Sequence, residues 1–272
     1  MTGDSRSQPA LSQSALAQQT LWGTDPQGWA EVAEPLNRAL FEAILDATVV
    51  GPGTRLLDVG CGSGLTLVLA AQRGAEVAGI DISPGLLAVA SQRLPGADLR
   101  VGDLQVLPYA DESFDVVLGV NAFQFAEDPV AALGEARRVV RAGGLVAASL
   151  FAEPERCGST AIHLAMAALS PPPRQSSHQP YALSAPQGLE NALTVCGLSV
   201  ETSAEVPVVW RYADADSAVQ GLLSSGGGAR AIQDAGRDAV EAAVRRAVVP
   251  FTDKSGVVAM NNVFRFVVAR RA

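Results

Sequence analysis

Between residues 55 and 150, short apolar runs alternate with longer segments whose apolar positions repeat at helical spacing. The runs are Arg55–Val59, Glu76–Asp81, Asp98–Gly102, Ser113–Val120 and Leu145–Leu150. Each is short, nearly continuous and bounded by Gly, Pro or Asp, which predicts strands buried on both faces of a parallel sheet. The intervening segments Leu65–Ala71 and Pro84–Leu94 read as helices, as does the one opening at Asp128-Pro129. Its expected inner face is Val130, Leu133, Ala136 and Val140. Ser83-Pro84 and Asp128-Pro129 supply an N-cap followed by a proline at the first helical position. Strand–helix alternation predicts an α/β fold, a doubly wound sheet with helices on both faces.

The first run leads into Gly60, Gly62 and Gly64, three glycines at alternate positions. Glycine there permits left-handed backbone angles and lets a ligand approach the main chain, while the helix behind offers free N–H groups and a positive dipole end. A dinucleotide G-x-G-x-x-G would need its third glycine where Leu65 stands. Asp81 closes the second strand at roughly the 20-residue spacing of a carboxylate that grips ribose hydroxyls.

Leu57-Asp-Val-Gly-Cys-Gly-Ser-Gly64 resembles the first motif of the class I, Rossmann-like S-adenosylmethionine-dependent methyltransferases, in particular the small-molecule type similar to the ubiquinone and menaquinone biosynthesis group. The likeness covers about residues 50–150. It implies S-adenosyl-L-methionine as cofactor and S-adenosyl-L-homocysteine as product, with Asp58, Gly60, Cys61, Gly62 and Gly64 around the methionine part. Asp81 and Ile82 are then expected at the ribose, Asp103 and Leu104 at the adenine, and Asn121 and Ala122 near the ammonium or sulfonium. The family usually has Pro-Gly-Gly before the fifth strand; here Ala142 replaces the proline. The resemblance also implies a seven-stranded sheet, completed by a helix at Ala185–Cys196 and strands at Leu198–Val209 and Val257–Arg270.

Three regions exceed that sheet. Residues 1–49 hold a polar tail, then Trp22 and Trp29, then an amphipathic helix expected over Val32–Leu45. The tryptophans either plug the core or fold over the site, as the equivalent segment often does in the family. Residues 152–184 and 211–256 are expected to form a lid over the core at 50–151 and 185–272. Their helices are predicted at Ser159–Leu169, Asp214–Ser224 and Arg230–Val249, with Gly226–Gly228 as a linker. Phe123, Phe125, Tyr181 and Trp210 are the further candidates for pocket walls.

At 272 residues and 48% apolar, the chain can bury one substantial core. Twenty basic against 28 acidic side chains leave −8, and no Lys/Arg cluster forms a stripe, so nucleic acid is not an expected partner. No run is long and apolar enough for a membrane span, and no secretory leader is read. Three cysteines at unrelated spacings indicate a reducing, cytoplasmic setting and neither a disulfide framework nor a metal site.

Methyl transfer is a displacement at a carbon the sulfonium already activates, so the protein's task is to bind, orient and exclude water. A general base is optional; His163 and His178, the chain's two histidines, are the candidates. The expected function is methyl transfer to O, N or C of a small, partly apolar metabolite, with secondary metabolism as its setting. A cofactor binder of the same fold, or a catalyst of a rearrangement or cyclisation, is the alternative. A nicotinamide oxidoreductase is the remote one, disfavoured by Leu65 and Asp103. The acceptor and the oligomeric state do not follow from these residues.

Overall fold

All five predicted runs become parallel strands of one sheet, and two long antiparallel strands extend it. The computed structural model describes residue 11 and residues 13–171 and 183–272; His178 and Tyr181 lie outside the described residues. The strands are β1 (Arg55–Val59), β2 (Glu76–Asp81), β3 (Asp98–Val101), β4 (Phe114–Val120), β5 (Val140–Phe151), β6 (Leu198–Tyr212) and β7 (Val258–Arg271). Their order is β3-β2-β1-β4-β5-β7-β6, with β7 antiparallel to both neighbours. The order reverses between β1 and β4, and the crevice beyond their carboxyl ends is where such sheets bind ligands.

The helices are α1 (Gln13–Trp22), the single turn α2 (Pro26–Gly28), α3 (Arg38–Ala47), α4 (Leu65–Gln72), α5 (Pro84–Arg93), α6 (Pro129–Val139), α7 (Ser159–Ala167), α8 (Gly188–Val195), α9 (Ala215–Leu223), α10 (Gly226–Ala235) and α11 (Arg237–Val248). One apolar layer joins the sheet to α3, α4 and α5 through Leu40, Ile44, Leu67 and Leu87. A second joins its other face to α6 and α8 through Leu133, Ala136, Leu189 and Leu193. Both layers are apolar, which is why β1 and β4 show no polar–apolar alternation. A third cluster ties α7, α9, α10 and α11 to Tyr212, Val258 and Met260 at one end of the β6–β7 ribbon.

Several local expectations are corrected. The helix expected over Val32–Leu45 is a π turn at Trp29–Ala33 and a 3-10 turn at Glu34–Asn37 before α3 begins at Arg38. Pro35 has no N–H for a regular α ladder. Val130 is exposed and Val140 opens β5, so the inner face of α6 is Ala132, Leu133, Ala136 and Val139. Gly226–Gly228 is not a linker but the first turn of α10, capped by Ser225. A Cβ on Gly226 would stand 2.9 Å from the Trp22 ring, so glycine there answers close packing. The single helix expected over Arg230–Val249 breaks at Gly236, whose φ is +85°.

Candidate functional site

The turn after β1 is held open by backbone conformation. Gly60, Gly62 and Gly64 have φ of +74°, +54° and +83°, a region costly for residues with a Cβ. The neighbours of two of them are also close. A Cβ on Gly60 would lie 2.6 Å from Ala122 Cβ, and one on Gly64 would lie 3.0 Å from Ala90 Cβ. Gly62 instead faces the N-terminal segment: a Cβ there would be 3.5 Å from Trp29 Nε1 and 3.8 Å from Glu34 Oε1. Trp29 and Glu34 of the segment before β1 therefore lie against the turn.

Asp81, buried at the end of β2, accepts from the amides of Gly62 and Ser83, each at 2.8 Å. Its carboxylate thereby ties the glycine turn to the start of α5. Burial pushes its carboxyl up to about 6, although those two N–H bonds pull the other way. Asp58 is more extreme. It is 1% exposed, its Oδ1 has no hydrogen-bond partner, and burial, with Asp81 and Glu34 beside it, pushes it up to about 8. Ile82 reaches the cover through its carbonyl, which accepts from Gln19 Nε2 at 2.9 Å.

Asn121 follows β4 in the left-handed region at φ +52°. Its amide donates to Ser149 O and Ser149 Oγ, both at 3.2 Å, and its side-chain oxygen is buried without a partner. Ser63 Oγ and Gln124 Oε1 are likewise buried and unpartnered. Buried polar atoms ordinarily find partners. Orphans at Asp58, Ser63 and Asn121, beside an open glycine turn, fit a ligand carrying its own N–H and O–H groups. Those residues and Asp81 could hold a nucleoside–amino acid cofactor.

Other expected site residues already have contacts within the protein. Cys61 turns its thiol into the core, where burial pushes it well up, and its amide donates to Ile80 O; only its backbone borders the turn. Asp103 uses Oδ1 for the amide of Gln105 at 2.9 Å, an Asx turn, and Leu104 packs on the core. Phe123, 1% exposed, fills the space above Gly119 and is a core residue, not a pocket wall. Phe125 remains half-exposed and meets Trp22 edge-on at 5.7 Å, and Trp22 meets Trp29 at 5.0 Å.

Beyond Trp29 lies a second space, a cavity of about 40 Å³ between the N-terminal segment and the α7/α9 cluster. Its walls are Trp29, Ala33, Leu36, Asn37, His163, Trp210, Tyr212, Gly221, Leu222 and Ser225. The Trp210 indole donates to Asn37 Oδ1 at 3.0 Å. Phe151 meets both Trp210 (5.8 Å) and His163 (5.9 Å) edge-on. His163 keeps an exposed side, and the atoms packed around the rest of its imidazole push it below the ordinary histidine range, leaving it neutral at pH 7. None of the lining side chains carries a formal charge at that pH. A larger hollow of about 180 Å³, bounded by Asp25, Asp216, Arg237 and Arg245, contains none of the residues at the glycine turn.

Glu34, Arg93, Asn37 and Tyr212 did not stand out in the sequence. The available signal for Glu34 was a charge at helical spacing on an apolar face with Ala30, Ala33 and Asn37. The other three had none.

Sheet order, glycine turn and strand-end carboxylates define a Rossmann-like α/β class. Residues 57–148 match the family described as "Methyltransferase domain". The chain is 35% identical over 125 residues to a malonyl-[acyl-carrier protein] O-methyltransferase of Serratia marcescens, covering 46% of this chain and 49% of that one. It is 37% identical over 111 residues to a demethylmenaquinone methyltransferase of Renibacterium salmoninarum, covering 41% and 47%. The chain thus spans about half the length of the curated relatives it matches. Geranyl diphosphate C-methyltransferase of Streptomyces coelicolor shares the fold at TM-score 0.59 and 13% identity, over 97% of this chain and 100% of that one. The [4+2]-cyclase SpnF does so at 0.54 and 20%, over 85% and 80%. Among the described residues no helix is long and apolar enough to cross a membrane.

Proposed function

We propose that the protein is an S-adenosylmethionine-dependent methyltransferase acting on a small, partly apolar acceptor. The observation that carries this is the pairing of an open three-glycine turn with buried Asp81 and the unpartnered oxygen of Asp58. Asp81 is the candidate for the ribose hydroxyls, Asp103 and Leu104 for the adenine, Asp58 and Asn121 for the amino-acid end. The cofactor supplies the activated methyl group. The protein supplies position and dryness, which together account for roughly 7–11 kcal/mol in well-oriented reactions.

Residues 152–184 and 211–256, with 1–49, are assigned to acceptor binding in this reading. Trp29 stands between the glycine turn and the small cavity, so in this reading the indole moves aside and the cavity widens when an acceptor reaches the methyl donor. His163 is the candidate general base, neutral at pH 7 and able to take a proton from an attacking O–H or N–H. The three cysteines are free, which agrees with the cytoplasmic setting the reading assumes.

Calorimetric titration with S-adenosylmethionine tests the reading, with NAD as control and Asp81→Ala as variant. Micromolar binding of the first, none of the second and a large loss in the variant are expected. A folded protein that binds neither S-adenosylmethionine nor S-adenosylhomocysteine would refute it. The cyclase fold neighbour keeps a non-methylating reaction as the second reading. Cofactor binding without S-adenosylhomocysteine formation across acceptors that are otherwise transformed would favour that one.

A further inference from the structure

The N-terminal cover carries a buried acid to the glycine turn. Glu34 is 4% exposed; its Oε1 accepts from the Leu65 amide at 3.2 Å, at the head of α4. Its other oxygen pairs with Arg93 of α5. Arg93 also donates to Ser63 O at 2.9 Å and Ala30 O at 2.8 Å, fastening both sides of the junction. Three carboxylates, Asp58, Asp81 and Glu34, therefore converge on the turn, with Arg93 the guanidinium hydrogen-bonded there.

Their hydrogen bonding is unequal. Both oxygens of Asp81 have amide donors. Both oxygens of Glu34 are engaged as well, but each shares a flexible arm that spans the cover and the core. Asp58 alone has a buried oxygen with no donor. Three acids against one guanidinium, with one acceptor orphaned, fit a cation that brings several N–H groups, since a buried acceptor left unmet is costly and a cation beside the acids favours their ionised forms. An ammonium has three donors and no acceptor. Sulfonium and nucleoside groups do not meet that description; the α-ammonium of an amino acid does.

We propose that Glu34, together with Asp58, receives the ammonium group of the cofactor's amino-acid end, and that Arg93 is a positioning residue that holds Glu34 over the turn. This rests on the cofactor reading above. It makes the cover a binding element whose approach completes the charge balance of the site, rather than a passive roof.

The test compares two ligands that share adenosine and a thioether. S-adenosylhomocysteine has the amino-acid end; 5′-methylthioadenosine lacks it. Glu34→Gln keeps the length and an acceptor for Leu65 N–H while removing the charge. We expect it to weaken S-adenosylhomocysteine roughly ten- to hundred-fold, with under about two-fold change for 5′-methylthioadenosine by the same reasoning. Equal weakening of both ligands would reduce Glu34 to a latch, and no change in either would remove it from the site; each overturns the proposal. If wild-type protein binds neither ligand, the cofactor reading itself fails, a distinct result. Circular dichroism checks folding of the variant. If Glu34→Gln does not fold, Glu34→Asp carries the same comparison, because its shorter arm withdraws the charge from the turn but keeps the balance with Arg93.

Discussion

Trp29 separates two half-sites built on opposite plans. On one side, the glycine turn, Asp81 and Asn121 sit at the ends of adjacent parallel strands, and their geometry is a matter of backbone. Three positive-φ glycines and a chain of amide-to-carboxylate bonds set it. On the other side, the small cavity takes its walls from four separated stretches: Trp29–Asn37, His163, Trp210–Tyr212 and Gly221–Ser225. Its geometry rests on side chains packed between inserted segments. The first half-site is densely charged; the second has no charged side chain in its lining. The difference teaches that the two can vary separately. Under the proposed function, changes in the inserted helices would reshape the acceptor side while the strand ends, and with them the proposed cofactor contacts, remain in place.

Gly60→Ala attacks the backbone half most directly. The new methyl must accept a φ near +74° and stand 2.6 Å from Ala122 Cβ. Strain of about 1–2 kcal/mol for the left-handed backbone adds to about 1–3 kcal/mol for overpacking. Urea melts should show a loss within that combined range, and S-adenosylmethionine binding should vanish. Wild-type affinity in the variant would mean that the turn is softer than its packing implies.

His163→Ala probes the other half. If the imidazole is the base, turnover with a working acceptor should fall at least about 100-fold, while the cofactor dissociation constant stays within two-fold of wild type on the same premise. A parallel loss of cofactor affinity would mean that the halves are coupled through Phe151 and Trp210. Unchanged turnover would remove His163 from the chemistry.

The pH dependence of the ligand-free protein sharpens the contrast in charge. Asp58 and Asp81, pushed up to about 8 and about 6, keep protons in the folded state that the unfolded chain has already released. Their contribution to stability is fully present below about pH 4, the unfolded value. It declines as pH rises through 6 and then through 8. Asp58→Asn removes the larger part, so above pH 8 the variant should be more stable than wild type by about 1–3 kcal/mol. Thermal midpoints measured from pH 5 to 9 check this; parallel curves for the two proteins would show that Asp58 does not titrate in this window.

The same division explains what could be read from the residues alone. The backbone half was legible because its elements are consecutive: apolar run, glycine turn, helix, acid at the next strand end. Each local pattern has one physical solution. Phe123 was ambiguous because a strand-end aromatic can turn either way, and only the space above Gly119 decides it. Gly226–Gly228 looked like a linker because three glycines carry no periodicity; their meaning lies in Trp22 and Leu223, far away or one turn back. Asn37 and Tyr212 had no signal, since their role depends on a helix start and a strand end meeting across the fold.

The smallest expected effect falls on the contact that closes the acceptor half. Trp210 Nε1 donates to Asn37 Oδ1, and no other side chain among the described residues is shown sharing that indole N–H. Trp210→Phe keeps an aromatic ring against Phe151 and Phe264 but deletes the donor. A neutral hydrogen bond of this kind contributes about 0.5–1.5 kcal/mol, and the smaller ring leaves some of the wall unfilled. Stability should drop by about 1–2 kcal/mol in urea melts, bond and packing together. S-adenosylhomocysteine affinity should stay unchanged, because the indole's hydrogen-bond and ring partners are Asn37, Phe151 and Phe264, outside the glycine turn. The acceptor Michaelis constant should rise, since Asn37 then turns freely in the cavity wall. A variant that instead loses cofactor affinity would show that Trp29 transmits strain between the half-sites, and the separation drawn here would fail at that residue.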